Sequence, residues 1–113
     1  MQPLGKRTKK FALDVFRFCE ALPNRSSCRI VKRQLMRSAS SVGANYRAAQ
    51  RAQSRKAFVA KLAIVEEEAD ESLFWLEMLE ELAVGNPQVL QRLKGEADEL
   101  VAIIVTSKKT AKE

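Results

Sequence analysis

Residues Ser54–Pro87, SRKAFVAKLAIVEEEADESLFWLEMLEELAVGNP, read as one uninterrupted helix with both of its boundary signals intact. Phe58, Leu62, Val65, Ala69, Leu76, Leu79 and Ala83, with Ser72 or Leu73 between them, recur at steps of three and four, which places them on one side of a 3.6-residue turn. Ser54 suits the N-cap, because its hydroxyl accepts a bond from an amide that the first turn leaves free. Gly85-Asn86-Pro87 is the stop: Gly supplies the left-handed cap position and Pro fits the first turn of whatever follows. Such a rod, over 54–84, is about 46 Å long at the standard rise and must bury its apolar side against other elements.

The flanking sequence supplies three more rods. Phe11, Val15, Phe18 and Leu22 mark a first helix over about 6–22, which Pro23-Asn24 ends. Ser26 or Ser27 is the expected cap of a second helix over about 27–51, with Val31, Leu35, Val42, Tyr46 and Ala49 along its buried stripe. Its middle is small, Ser38, Ala39, Ser41, Gly43, Ala44 and Asn45, so a neighbouring helix is expected to approach closely there. Gly43 costs roughly 1 kcal/mol of helix propensity relative to Ala, and a close contact accounts for it. Ser38, Ser41 and Asn45 are expected to satisfy one another at that contact, with a small-molecule pocket there as the competing reading. In the fourth helix, about 87–108, Leu90, Leu93, Ala97, Leu100, Ile104 and Ser107 favour a shallow left-handed crossing. With four Gly and three Pro there is little material for loops. The expected fold is a single all-α domain over 1–113, an antiparallel up-down-up-down four-helix bundle with left-handed packing.

Several apolar residues fall off the main seams: Phe16 on the first helix, Val59, Leu73, Phe74 and Leu82 on the third, and Val101, Ile103 and Val105 on the fourth. Together they predict a second buried face, which in a four-helix domain means a homo-oligomer interface.

Charge is divided unevenly. Of twenty Lys and Arg, fourteen lie in Met1–Lys56, and of fourteen Asp and Glu, twelve lie in Ala57–Glu113. Arg47, Arg51, Arg55 and Lys56 draw a basic stripe along the end of the second helix, and Lys6, Arg7, Lys9 and Lys10 form a cluster at the amino end. Such stripes attract phosphate through counterion release; a solvated face that offsets neighbouring acids is the competing reading. At 6% aromatic the chain has few platforms for stacking bases, so sequence reading is not expected. Across the second turn, Arg37 falls level with Asp70 and Glu71 and is predicted to pair with one of them.

Catalytic and metal chemistry find no support. There is no histidine, so neither the common acid–base partner nor the Glu-x-x-His repeats of a di-iron bundle are present, and Glu66-Glu67-Glu68-Ala69-Asp70-Glu71 reads as a solvated or ion-paired face. Cys19 and Cys28 without histidine do not make a four-ligand zinc site; they read as small buried side chains. No Gly-rich phosphate loop appears. The expectation is a protein without cofactor, metal or enzymatic activity. No apolar run approaches the roughly 20 residues of a membrane helix, and Met1–Lys10 lacks a signal-peptide core, so a cytoplasmic location without a membrane partner is expected.

The segment Gln34–Leu79 resembles the bacterial four-helix-bundle family of 23S ribosomal RNA intervening-sequence proteins. The resemblance is carried by Gln34-Leu35-Met36-Arg37-Ser38-Ala39 and Ser41-Val42-Gly43-Ala44-Asn45, then by Ser54, Phe58, Leu62, Glu67, Glu71, Trp75, Leu76 and Glu77, and it extends more weakly over almost the whole chain. Many members have a Glu and Gly soon after the Asn, where this chain has Tyr46-Arg47-Ala48-Ala49. What the resemblance implies is an antiparallel four-helix protomer in a homopentameric ring or cone. A related group, the accessory proteins of diversity-generating retroelements, forms basic pentameric barrels that work with a reverse transcriptase and nucleic acid. By that analogy this chain is expected to be an accessory protein that holds RNA or DNA backbone; the rival expectation is an oligomeric scaffold for another protein.

Overall fold

The computed structural model describes residues 3–113. Four helices account for nearly all of them: α1 (Leu4–Glu20), α2 (Ser26–Gln50), α3 (Arg55–Glu81) and α4 (Pro87–Lys112), with no strand among the described residues. Each helix packs on its sequence neighbours and α1 also packs on α4, whereas no Cα atom of α1 comes within 8 Å of one in α3, nor any of α2 within 8 Å of one in α4. The rods therefore form a four-cornered bundle, 45 × 22 × 20 Å, with α1 and α3 on one diagonal.

The core is filled from all four corners. Phe11, Val15 and Phe18 of α1, Val31, Leu35 and Val42 of α2, Leu62, Val65, Leu76 and Leu79 of α3, and Leu90, Leu93, Leu100 and Ile104 of α4 are all buried. Each set keeps the three-and-four spacing that puts one stripe inward. Contacts along the seams run in opposite numerical directions. On α3 and α4, Glu80 meets Lys94 while Glu66 meets Lys108; on α1 and α2, Gly5 lies beside Gln50 while Thr8 and Lys9 lie beside Gly43.

Ser54 caps α3 by accepting from the Ala57 amide at 3.0 Å, and Asn86 caps α4 by accepting from Gln88 and Val89, each at 3.0 Å. Several boundaries differ from the sequence reading, those of α1 among them, which spans Leu4–Glu20 rather than about 6–22. Ser26 is the first residue of α2 rather than its cap; Arg25 occupies the cap position with extended backbone, and the Ser26 hydroxyl instead accepts from Arg29. Helix α3 stops at Glu81, because Ala83 enters the left-handed region at φ 56° and the Val84 amide bonds back to the Leu79 carbonyl at 3.2 Å. With the Ala83 amide donating to the Glu80 carbonyl at 3.0 Å, the two bonds form a Schellman ending, so Gly85, with φ 88°, serves the turn after the cap rather than the cap itself. Helix α4 continues past 108 to Lys112, since no Gly or Pro interrupts its last turn.

The small middle of α2 serves two neighbours. Ser38 is buried against α3, sharing a 2.8 Å hydroxyl bond with Ser72, whose own hydroxyl donates to the Glu68 carbonyl at 2.9 Å. Gly43 faces α1, where a Cβ would lie 3.4 Å from the Thr8 carbonyl oxygen, an ordinary packing distance.

Candidate nucleic-acid interface

Where α1 runs along α2, small residues on both helices leave a surface groove of about 430 Å³. Gly5 and Ala12 on α1 and Ser40, Gly43 and Ala44 on α2 line it, and Lys9, Arg47 and Arg51 stand around it. None of these three cations has a carboxylate within ion-pair reach among the described residues. Arg47 lies in the last turn of α2 and Arg51 at its C-cap, where the helix dipole favours positive charge. Past the turn, Arg55 and Lys56 open α3 and share a second hollow, about 460 Å³, with Val59 and Lys112. The end of α4 thus joins the basic end of the molecule. The sequence reading missed Lys112 there; the signal was the direction of travel of the fourth helix, whose tail must return to the end where the third begins.

The amino-terminal cluster divides. Lys6 and Lys9 are exposed and unpaired among the described residues, Lys10 is exposed but paired within α1, and Arg7 is committed to another helix. Arg7 crosses to α4, donating through Nε and Nη2 to the two carboxylate oxygens of Glu96 at 3.0 and 2.7 Å and reaching Glu99 at 3.0 Å. These carboxylates, Glu96 foremost, hold the guanidinium firmly protonated, and its side chain is only 11% exposed. Arg7 is therefore a structural cation. Lys10 pairs with Asp14 at 2.6 Å one turn along α1.

Arg37 pairs across the α2–α3 seam with Glu71, as one of the two expected partners, and with Glu68 at 2.9 Å; Asp70 is exposed and takes no part. Residues 68 and 71 are nearly one turn apart and share the side of α3 that faces α2, whereas 70 points elsewhere. Glu71 also accepts from the Trp75 indole at 3.2 Å. Burial works against the Glu71 carboxylate, but the bonds from Arg37 and Trp75 outweigh it and hold its pKa below the usual carboxylate range. Ser41 and Asn45 bond each other within α2, Asn45 Nδ2 donating to the Ser41 carbonyl at 3.0 Å and hydroxyl at 2.8 Å, not across to a neighbouring helix.

Of the apolar residues assigned to an oligomer face, Phe74, Leu82 and Val105 are exposed, while Phe16, Val59 and Ile103 are half-buried and Leu73 and Val101 pack against the core. Leu13, Ile30 and Met78 are exposed as well and were not anticipated. Cys19 and Cys28 are free and fully buried; burial pushes the Cys19 thiol up to about 12, so it stays protonated and packs as an apolar group. Among the described residues no three His, Cys, Asp or Glu side chains are grouped to hold a metal, and no helix is long and apolar enough to cross a membrane.

Comparison with known proteins follows the same lines. The family model of the 23S rRNA-intervening sequence protein matches residues 4–106. A crystal structure of a protein of unknown function from the S23 ribosomal protein family of Bacteroides thetaiotaomicron superposes with a TM-score of 0.86 at 28% identity, covering 95% of this chain and 99% of that one. No curated protein matches.

Proposed function

The chain belongs to the 23S rRNA-intervening sequence protein family, and on that premise we propose that it is a non-catalytic, self-associating protein that grips RNA or DNA backbone through its basic α1–α2 groove. The observation that carries this reading is the set of three cations, Lys9, Arg47 and Arg51, left without carboxylates around a groove floored by small residues. Every other strong cation contact across a helix seam, at Arg7, Arg37, Lys94 and Lys108, is answered by a glutamate. Unanswered cations at a concave surface favour a polyanion, and phosphate contacts of this kind carry no base information. The protomer is an antiparallel up-down-up-down bundle, supported by seam contacts that run in opposite numerical directions, and the assembly is the homopentamer that the family resemblance implies. Two unpaired, buried cysteines suit a cytoplasmic setting.

A salt series tests the reading. Binding to a generic RNA or DNA duplex weakens with added salt, and Lys9→Ala, Arg47→Ala and Arg51→Ala each lower the slope of log affinity against log salt by about 1. Absent binding at low salt, or a slope the three changes leave alone, overturns it. A second reading, an oligomeric scaffold for another protein, is favoured by Ile30, 62% exposed on α2. A partner retained after nuclease treatment supports the scaffold, and one lost with the nucleic acid supports the groove.

A further inference from the structure

We infer that copies of this chain join head to tail, the basic outer strip of α1 in one copy seating on the acidic outer strip of α3 in the next. The inference rests on the reading that the chain self-associates and adds which surfaces meet.

On α1, Lys6, Lys10, Leu13 and Arg17 are all exposed and recur at steps of four, three and four, so that Leu13, 45% exposed, sits within a run of cations. Asp14 lies 2.6 Å from Lys10 and 3.4 Å from Arg17, yet leaves their side chains 62% and 71% exposed, available to a second partner. On α3, Glu67, Asp70, Phe74, Glu77 and Glu81 are exposed at steps of three, four, three and four, and Phe74, 51% exposed, sits within a run of carboxylates. None of those four carboxylates has an ion-pair partner among the described residues.

The two strips match in form and oppose in sign: each sets one large apolar side chain in a frame of like charge. Within its own protomer the carboxylates of the α3 strip gain nothing, since like charges at helical spacing repel, and the Phe74 ring, edge-on to Trp75 with centroids 4.9 Å apart, still leaves half its surface in water. A strip of cations with its own apolar centre answers both at once, because the charges find partners and the Leu13 and Phe74 side chains leave water together. One protomer cannot close this pair on itself. Helices α1 and α3 occupy one diagonal of the bundle, so their outer strips point away from each other. Contact between unlike patches is heterologous, and repetition gives a ring when the rotation closes and a filament when it does not. The groove cations Lys9, Arg47 and Arg51 belong to neither strip, so this contact and the phosphate reading are probed by different variants.

Charge exchange supplies the test, read by native mass measurement and sedimentation on the full chain. The pair Lys6→Glu with Arg17→Glu, and separately the pair Asp70→Lys with Glu77→Lys, each weaken association by about tenfold or more through like-charge contact. A chain carrying all four changes regains it. Leu13→Ser and Phe74→Ser weaken the same association without touching a charge, and circular dichroism shows the helices intact throughout. Association unmoved by either pair, or a four-change chain that stays apart, overturns the inference while self-association stands. A monomeric wild-type chain overturns both.

Discussion

Arg7 and Arg37 perform the same chemistry at two seams, each placing one guanidinium between two glutamates three residues apart on a facing helix. Their surroundings differ. Arg7 joins α1 to α4, the more sparsely packed of the four seams, and is 11% exposed; Arg37 joins α2 to α3, the most densely packed, and is 50% exposed. Where packing is dense, the ion pair adds to a seam already held by Leu35, Ser38 and Ser72 and is largely screened by water. Where packing is sparse, a few contacts fasten the shortest helix. Besides Arg7, one of them is Phe18, whose ring tip would lie 2.6 Å from a Cβ on Gly85.

The comparison breaks first at Gly85. Gly85→Ala combines a positive φ with collision against Phe18, and is expected to lower stability by roughly 2–3 kcal/mol in denaturant unfolding. Arg7→Ala is next, at about 2 kcal/mol, since it strands Glu96 in a partly covered position. Arg37→Ala is expected to cost about 1 kcal/mol or less. If the two arginine variants cost the same, packing density does not set what such a clamp is worth. The Arg37 clamp does leave a signature in acid. Because the folded pKa of Glu71 is depressed, its contribution is present above the ordinary carboxylate range and is lost as pH falls through the folded value. The acid limb of the stability curve should therefore flatten in Arg37→Ala. Smallest is Ala83→Gly, which relieves the left-handed cap and is expected to stabilise by about 0.5 kcal/mol, read as a small rise in Tm.

Helix identity was legible because burial imposes a period: Leu62, Val65, Ala69, Leu76 and Leu79 announce their side of α3 without reference to any other helix. What depended on a second helix was less so. Placing Arg37 opposite Glu71 needed only the length of one turn, but recognising Glu68 in place of Asp70 needed the rotation of α3 about its axis. Arg7 read as a free cation, since Glu96 lies far away in sequence and becomes its neighbour only through the closing α1–α4 seam. The groove was half visible. Lys9, Arg47 and Arg51 were each named, but their meeting around Gly5, Ala12 and Gly43 comes from the crossing of α1 and α2. The end of α3 misled because Ala83 adopts a conformation that sequence assigns to glycine.

Cys19 and Cys28 bracket the α1–α2 turn, both fully shielded from solvent. An alkylating reagent meets a sulfur atom there only when that corner unzips, so the speed of thiol labelling is a clock for local opening. A chain whose first helix is loosened at Arg7 or Gly85 should run that clock faster, while loosening Arg37 leaves it near its native pace.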